Sequence, residues 1–238
     1  MNIEIADCIY NRANDIELAV SAHDEFSSVA DYIWKAPRLL DQEKQSELDK
    51  LPIYFPNNPE LAEIRWRHES RKLENTFPYI MANGNLFAVA SLYESYLMLL
   101  AKDIEKATGI ELDSINGRGN SRLSNYFKHV GINCSSIELY HQVDAALKIR
   151  NCLVHASGIL DWSKENNVLR QIYKSGTFLS KEHRRLRKSN GSALNEISIV
   201  KSELGERIQI TNEYSWLSCW YFRDYFLGLC IEARDLEK

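Results

Sequence analysis

An all-α fold, an up-and-down helical bundle with one small β-hairpin before the C-terminal helix, is predicted by three stretches of this chain. Residues 85–106 place Leu86, Val89, Tyr93, Tyr96, Leu97 and Leu100 on one side of a helix and Phe87, Ala90, Ser91 and Met98 on another. A helix apolar nearly all round belongs at the centre of a fold. Residues 196–211, EISIVKSELGERIQIT, alternate about Gly205 with Ile197, Ile199, Ile208 and Ile210 on one face, the period of a hairpin. Residues 214–236 then form an aromatic-rich helix that returns to the core.

The remaining elements follow from spacing and breakers. Residues 11–34 carry Ile16, Leu18, Ala19, Val29 and Ile33 at helical intervals, read as one or two amphipathic helices closed by Lys35-Ala36-Pro37. A short acidic helix is expected over 42–51. The prolines of LPIYFPNNPE (Pro52, Pro56 and Pro59) predict an extended connector. Residues 60–74 restart as a charged helix that Phe77-Pro78 ends or kinks. Gly109 stops the central helix, the NGRGNSR stretch is a loop, and a short helix over 122–130 ends at Gly131. Ser135 with Glu138 has the spacing of a capping box, which starts the next helix near 136 and carries it to 156, where Ser157-Gly158 closes it. The chain divides into an N-terminal helical segment, 1–59, packing on the core, and a helical domain, 60–238.

Composition narrows the function. The chain has 238 residues, 45% hydrophobic and 26% charged, with a net charge of -4, and a pI near 5.9. That balance excludes a protein that coats nucleic acid through a general cationic excess, while leaving room for a local basic site. Five cysteines without a CxxC pair, and a start, MNIEIADCIY, without a basic-then-apolar leader, point to a reducing cytoplasm. The apolar stretch 214–233 is interrupted by Arg223 and Asp224, so no membrane span is expected there.

The sequence KIRNCLVHASG, 148–158, sets Arg150, Asn151 and His155 in a helix. On a wheel Val143, Ala146, Leu147, Arg150 and Val154 share a stripe, which puts Arg150 at the centre of a face expected to be buried. A buried guanidinium needs a partner. Glu94 sits in the middle of a similar stripe (Phe87, Ala90, Ser91, Glu94, Met98) on the central helix, so the two charges are expected to meet. One reading stops there, with a structural ion pair and His155 settling the helix C-terminus through the macrodipole.

Residues 150–155, Arg-Asn-Cys-Leu-Val-His, also resemble the signature of the HEPN family (higher eukaryotes and prokaryotes nucleotide-binding). So do the lone Glu94 in LFAVASLYESYLMLL, the glycine-rich loop before RLSNYFKHVGI, and the GERIQITNEYSW step into the last helix, in that order. The resemblance covers residue 60 to the C-terminus. It implies a homodimeric helical bundle whose paired motifs cut RNA without metal, as in toxin or antiviral-defence ribonucleases, with no cofactor and with RNA and a regulatory or antitoxin protein as partners. It also implies roles: His155 as general base or acid, Arg150 as phosphate clamp, Asn151 as a positioning hydrogen-bonder and Glu94 as the group that orients Arg150. Where some members place a tyrosine three residues past the histidine, this chain has Gly158. The alternative within the family is a non-catalytic interaction or nucleotide-binding module.

Other stretches carry competing readings. The basic run KEHRRLRK, 181–188, offers Arg184, Arg185, Arg187 and Lys188 as RNA-backbone contacts or simply a solvated face. Arg65, Trp66, Arg67, His68, Arg71 and Lys72 interleave an aromatic with bases, yet Glu63, Glu69 and Glu74 on the same helix favour i to i+4 ion pairs. Glu138, His141 and Asp144 lack a second cluster with ligand spacing, so no metal site is assigned. Cys152 reads as a core thiol, and Trp216 with Trp220 as core or dimer packing.

Overall fold

The structure, a computed structural model, describes residues 9–236. Eight long or short α-helices named here and one hairpin follow in the order α1 (Glu17–Tyr54), α2 (Pro59–Arg71), α3 (Phe77–Thr108), α4 (Asn120–His129), α5 (Tyr140–His155), α6 (Asn166–Ser175), α7 (Lys181–Ser189), β1 (Ile197–Ser202), β2 (Gly205–Ile210) and α8 (Asn212–Asp235). The fold is the predicted one: a mostly α-helical bundle with a two-stranded antiparallel hairpin before the last helix.

Helix α8 is the axis of the bundle, because its residues are buried on every side from Tyr214 to Ala233. It packs along α3 and α1. Tyr93 meets Phe222 at 4.7 Å between ring centroids and Tyr96 meets Phe226 at 5.4 Å, offset contacts that add to the area they bury. From α1, Ala19, Ala22, Phe26, Ala30 and Ile33 join the same core. The small residues on that stripe let α1 approach α8 closely.

Helix α1 differs from its predicted form. It runs unbroken through Pro37 and Pro52 and ends at Tyr54, so the expected stop at residues 35–37, the separate acidic helix and the first part of the extended connector, 51–54, are replaced by one 38-residue helix. Pro37 has no N–H to give to the carbonyl of Ile33, and Asn212 Nδ2 supplies a donor there at 2.8 Å. A tertiary contact thus repairs the break that the local sequence predicts.

Phe77-Pro78 does not end its helix either. Residues Lys72–Thr76 form a π-helical turn in which the N–H of Phe77 bonds to the carbonyl of Lys72, and α2 continues into α3. A π-turn is the usual way for a long helix to absorb such a residue. The helix Pro59–Thr108 is the one among the described residues that is long and apolar enough, by composition, to cross a membrane, and half of its most apolar window is buried in the protein. Three basic residues of 65–72 are engaged in ion pairs: Arg65 with Glu47 and Glu69, Arg67 with Glu63, and Lys72 with Glu69.

The capping box does not form. Cys134–Ser136 make a 3-10 turn, Ser135 Oγ bonds to Asn133 Oδ1 at 2.8 Å, and α5 starts only at Tyr140, after Leu139 in the left-handed region (φ 67°). Helix α6 was not among the expected elements, although Val168, Leu169, Ile172 and Tyr173 recur at helical spacing and Leu169 and Ile172 are buried, and the basic run proves to be α7, capped where Ser180 Oγ accepts from His183 N.

The hairpin pairs Ile197 with Ile210 and Ile199 with Ile208, the predicted face. Ile197, Ile208 and Ile210 are buried, and Ile199 packs partly against the core. Its β2 strand lies on the end of α5: Ile208 N donates to Gly158 O at 2.9 Å and Arg207 Nε to Ser157 O at 3.0 Å. Gly158 has φ 76°, and a Cβ there would stand 2.9 Å from Ile208 O. Only glycine lets the hairpin close over the helix end that carries His155.

Candidate functional site

Helix α5 turns Val143, Ala145, Ala146, Ile149, Cys152 and Leu153 into the core. The predicted stripe is therefore displaced: Arg150 lies at the edge of the buried face, with its side chain 17% exposed, and Val154 is 46% exposed. Leu153 and Ile149 take the inner positions because the core lies on that side of the helix. Cys152 is buried, and burial pushes its thiol pKa up, so it is a core thiol and no nucleophile.

Glu94 and Arg150 meet as expected. Arg150 Nη2 donates to Glu94 Oε1, and its Nη1 donates to Asn151 Oδ1 at 3.0 Å. Asn120 Nδ2, at the first position of α4, donates to the same Glu94 oxygen at 2.7 Å. The carboxylate thus holds one group from α4 and one from α5, and the guanidinium is fixed from both sides. Partial burial draws the Arg150 pKa down, yet a guanidinium between these partners stays cationic. At a partly exposed site such a pair contributes modestly to stability and strongly to orientation.

Asn151 is exposed beside Arg150. A cavity of about 310 Å³ opens next to it, lined among others by Asn120, Ser124, Lys148 and Glu165. His155 is the last residue of α5, exposed, and no hydrogen bond joins it to Arg150 or Asn151. Helical geometry puts it about 7.5 Å further along the axis than Arg150 and about 140° around. Within the chain Glu94, Arg150 and Asn151 form a fixed triad, and His155 stands outside it.

The four bases of α7 divide. Arg187 Nε donates to the buried Glu196 at 2.7 Å and its Nη2 pairs with Glu213, so this residue ties α7 to the segment before the hairpin and to α8. Arg184 Nη1 reaches Ser175 O at 3.2 Å. Arg184, Arg185 and Lys188 line a second cavity together with Lys174 and Lys181, and no acidic residue lines it. Among the described residues no group of three or more His, Cys, Asp or Glu side chains is placed to hold a metal ion.

In the middle of α8 the sequence showed Arg223 and Asp224 only as charges interrupting an apolar stretch. Arg223 and Asp224 form a buried pair, Nε to Oδ1 at 2.7 Å, and the guanidinium of Arg223 lies 4.2 Å from the ring centroid of Trp220. Burial raises the Asp224 pKa, Arg223 opposing it. His183 Nδ1 sits 2.7 Å from the hydroxyl of Tyr221, and burial lowers the histidine pKa. The only sign in the sequence was a charged pair inside an otherwise apolar helix.

Comparison of the chain with protein-family models, with curated proteins and with solved structures finds no match.

Proposed function

We propose that this protein is a metal-independent endoribonuclease of the HEPN type, acting as a homodimer in a toxin or antiviral-defence setting, cytoplasmic and free of the membrane. The observation that carries the reading is the Glu94–Arg150–Asn151 arrangement: an arginine held in one orientation at the edge of the buried face, next to Asn151, which lines an open cavity, and on the helix that ends in an exposed histidine. Preorganised cations of this kind stabilise charge that grows in a transition state, because they need not reorient as it forms.

In the proposed reaction the 2′-hydroxyl of RNA attacks the adjacent phosphorus as His155 accepts its proton. Arg150 binds the phosphoryl oxygens, and Asn151 positions them by hydrogen bonding. The 5′-oxygen leaves with a proton from the second His155, supplied by the other protomer, and a 2′,3′-cyclic phosphate remains. Arg184, Arg185 and Lys188 provide backbone contacts. The test is to incubate the protein with an RNA pool in chelator, beside His155→Ala. Cyclic phosphate ends from the wild type alone support the reading; 5′-phosphate ends with a strict magnesium requirement overturn it.

One observation favours the alternative, a non-catalytic interaction or nucleotide-binding module. Both terminal nitrogens of Arg150 are already engaged, and His155 has no partner that orients its ring. Under that reading no RNA is cut in any condition, and Arg150→Ala changes stability alone.

A further inference from the structure

A cavity of about 530 Å³ lies between α5, α7 and α8, at the end of α5 away from His155, and Ile9, Leu139, Trp220 and Tyr221 give it an apolar wall. None of Glu94, Arg150, Asn151 or His155 lines it. Its size and make-up are those of a small-molecule site, where a few polar groups set in an apolar wall fix the orientation of a ligand. Two of its polar side chains keep free hydrogen-bonding capacity, and they are of opposite kinds: His183 offers a donor and Asp224 an acceptor.

The donor follows from the bonds around Tyr221. Its hydroxyl accepts from Ser180 N at 3.1 Å, so its own proton goes to His183 Nδ1, 2.7 Å away. Burial lowers the His183 pKa and keeps the ring neutral at pH 7, which leaves the ring proton on Nε2. No hydrogen bond engages Nε2 among the described residues, and the atom is not sealed in the core. Lys181 and Arg184 line the same cavity and make this end cationic.

The acceptor lies one turn further along α8. Asp224 is 9% exposed, and both contacts from Arg223 fall on its Oδ1, 2.7 Å from Nε and 2.6 Å from Nη2. Oδ2 is left open on the cavity side. Burial raises the Asp224 pKa, Arg223 opposes the rise, and Glu138, on the turn before α5, adds to it. Two carboxylates that repel each other beside an apolar wall are stabilised by a cation placed between them.

We propose that this cavity binds an amino acid with a large apolar side chain, its ammonium between Asp224 and Glu138 and its carboxylate on His183 Nε2, Lys181 and Arg184. The side chain lies against Trp220 and Tyr221. Both charged ends form hydrogen bonds with ionised partners, the stronger kind. An anion alone would leave the two carboxylates facing each other, and a cation alone would leave the His183 N–H and the α7 cations without an acceptor. A molecule carrying both charges answers both ends. A free amino acid and a short peptide present the same two ends. The inference stands apart from the ribonuclease reading and requires neither RNA cleavage nor a dimer.

Calorimetric titration of the full chain tests it, with L-phenylalanine, its methyl ester, its N-acetyl derivative, glycine and the dipeptide phenylalanyl-phenylalanine as separate probes. Phenylalanine is expected to bind about tenfold or more tightly than the ester, which lacks the carboxylate charge, than the N-acetyl derivative, which lacks the ammonium, and than glycine, which lacks the side chain. Lys181→Ala with Arg184→Ala, and separately His183→Phe, should weaken phenylalanine severalfold and leave the ester unchanged. Asp224→Asn strands the buried Arg223, so Glu138→Gln reads the other end: it should weaken phenylalanine and leave the N-acetyl derivative unchanged, with a melting temperature near that of the wild type. His155→Ala should bind phenylalanine as the wild type does. The dipeptide competed against phenylalanine assigns the source, the tighter of the two being the natural form. No phenylalanine binding at 10 mM, on the order of the weakest measurable affinity, overturns the proposal. So does an ester, an N-acetyl derivative or glycine that binds as tightly as phenylalanine, or phenylalanine binding that survives all of these substitutions.

Discussion

The side chain of Asn212 donates a hydrogen bond to the backbone carbonyl of Ile33, 2.8 Å away and 179 residues earlier in the chain. Pro37 would otherwise leave that carbonyl without its helical donor, and Asn212 Oδ1 in turn accepts from Asn85 Nδ2 at 2.7 Å. One amide at the start of α8 therefore joins α1, α8 and α3. Replacing Asn212 by Ala should cost about 1–3 kcal/mol, the usual penalty for stranding partly buried polar groups. Pro37→Ala returns an N–H to Ile33, so the Asn212→Ala penalty should shrink in that background. Urea unfolding of the four proteins checks it; equal penalties with and without Pro37 would show that the helix does not depend on the repair.

Glu94 and Arg150 invite a similar cycle. Glu94→Ala leaves a guanidinium that is largely out of water without its carboxylate, and removes the acceptor of Asn120 as well. A loss of about 1–3 kcal/mol is expected, below the range for fully buried pairs because solvent still reaches the carboxylate. Arg150→Met combined with Glu94→Gln should cost less than the two single changes summed. Additive losses would mean that the pair carries no coupling.

On the proposed ribonuclease reading, catalysis and binding separate at the motif. His155→Ala should leave RNA affinity nearly unchanged and lower the cleavage rate by about a hundredfold or more, the scale of losing a general acid-base. Arg150→Ala should weaken both. Single-turnover cleavage beside filter binding in the same buffer reads the two quantities, and equal effects of both substitutions on affinity would remove His155 from proton transfer.

Stability at mildly acidic pH should depend on His183. Burial holds its folded pKa below the unfolded value near 6.5. In the window between those two values the unfolded chain takes up a proton that the folded protein does not, so the contribution of His183 is complete above 6.5 and is lost as the pH falls through the window. Asp224 acts in the opposite sense, because its raised folded pKa favours the folded state at low pH. The urea midpoint should fall between pH 7.5 and 5.5, and less so in His183→Gln. An unchanged decline in the variant would place the acid sensitivity elsewhere.

How much of this was legible depended on how local the cause was. The core helix 85–106 and the isoleucine hairpin follow from periodicity, which depends on neighbours within one turn or one strand. The meeting of Glu94 with Arg150 was legible for a related reason: two apolar helices each carried one charge, and charges of opposite sign out of water must find each other. The capping box failed because Leu139, held in the left-handed region, interrupts the turn that Ser135 would have started.

The amino-acid sequence by itself determined the helical class, the hairpin and its face, and the meeting of Glu94 with Arg150, since each rests on spacing and on charge set against apolar surroundings, while the roles of Asn151 and His155 rest on the family resemblance. Only the tertiary structure decided that α1 runs through Pro37, that Arg187 is committed to Glu196 and Glu213, and that Trp220, Tyr221 and Asp224 line a cavity with α7 beside them. Those outcomes depend on partners from nine to 179 residues away, and no local pattern encodes which of them will arrive to satisfy a free carbonyl or a cation.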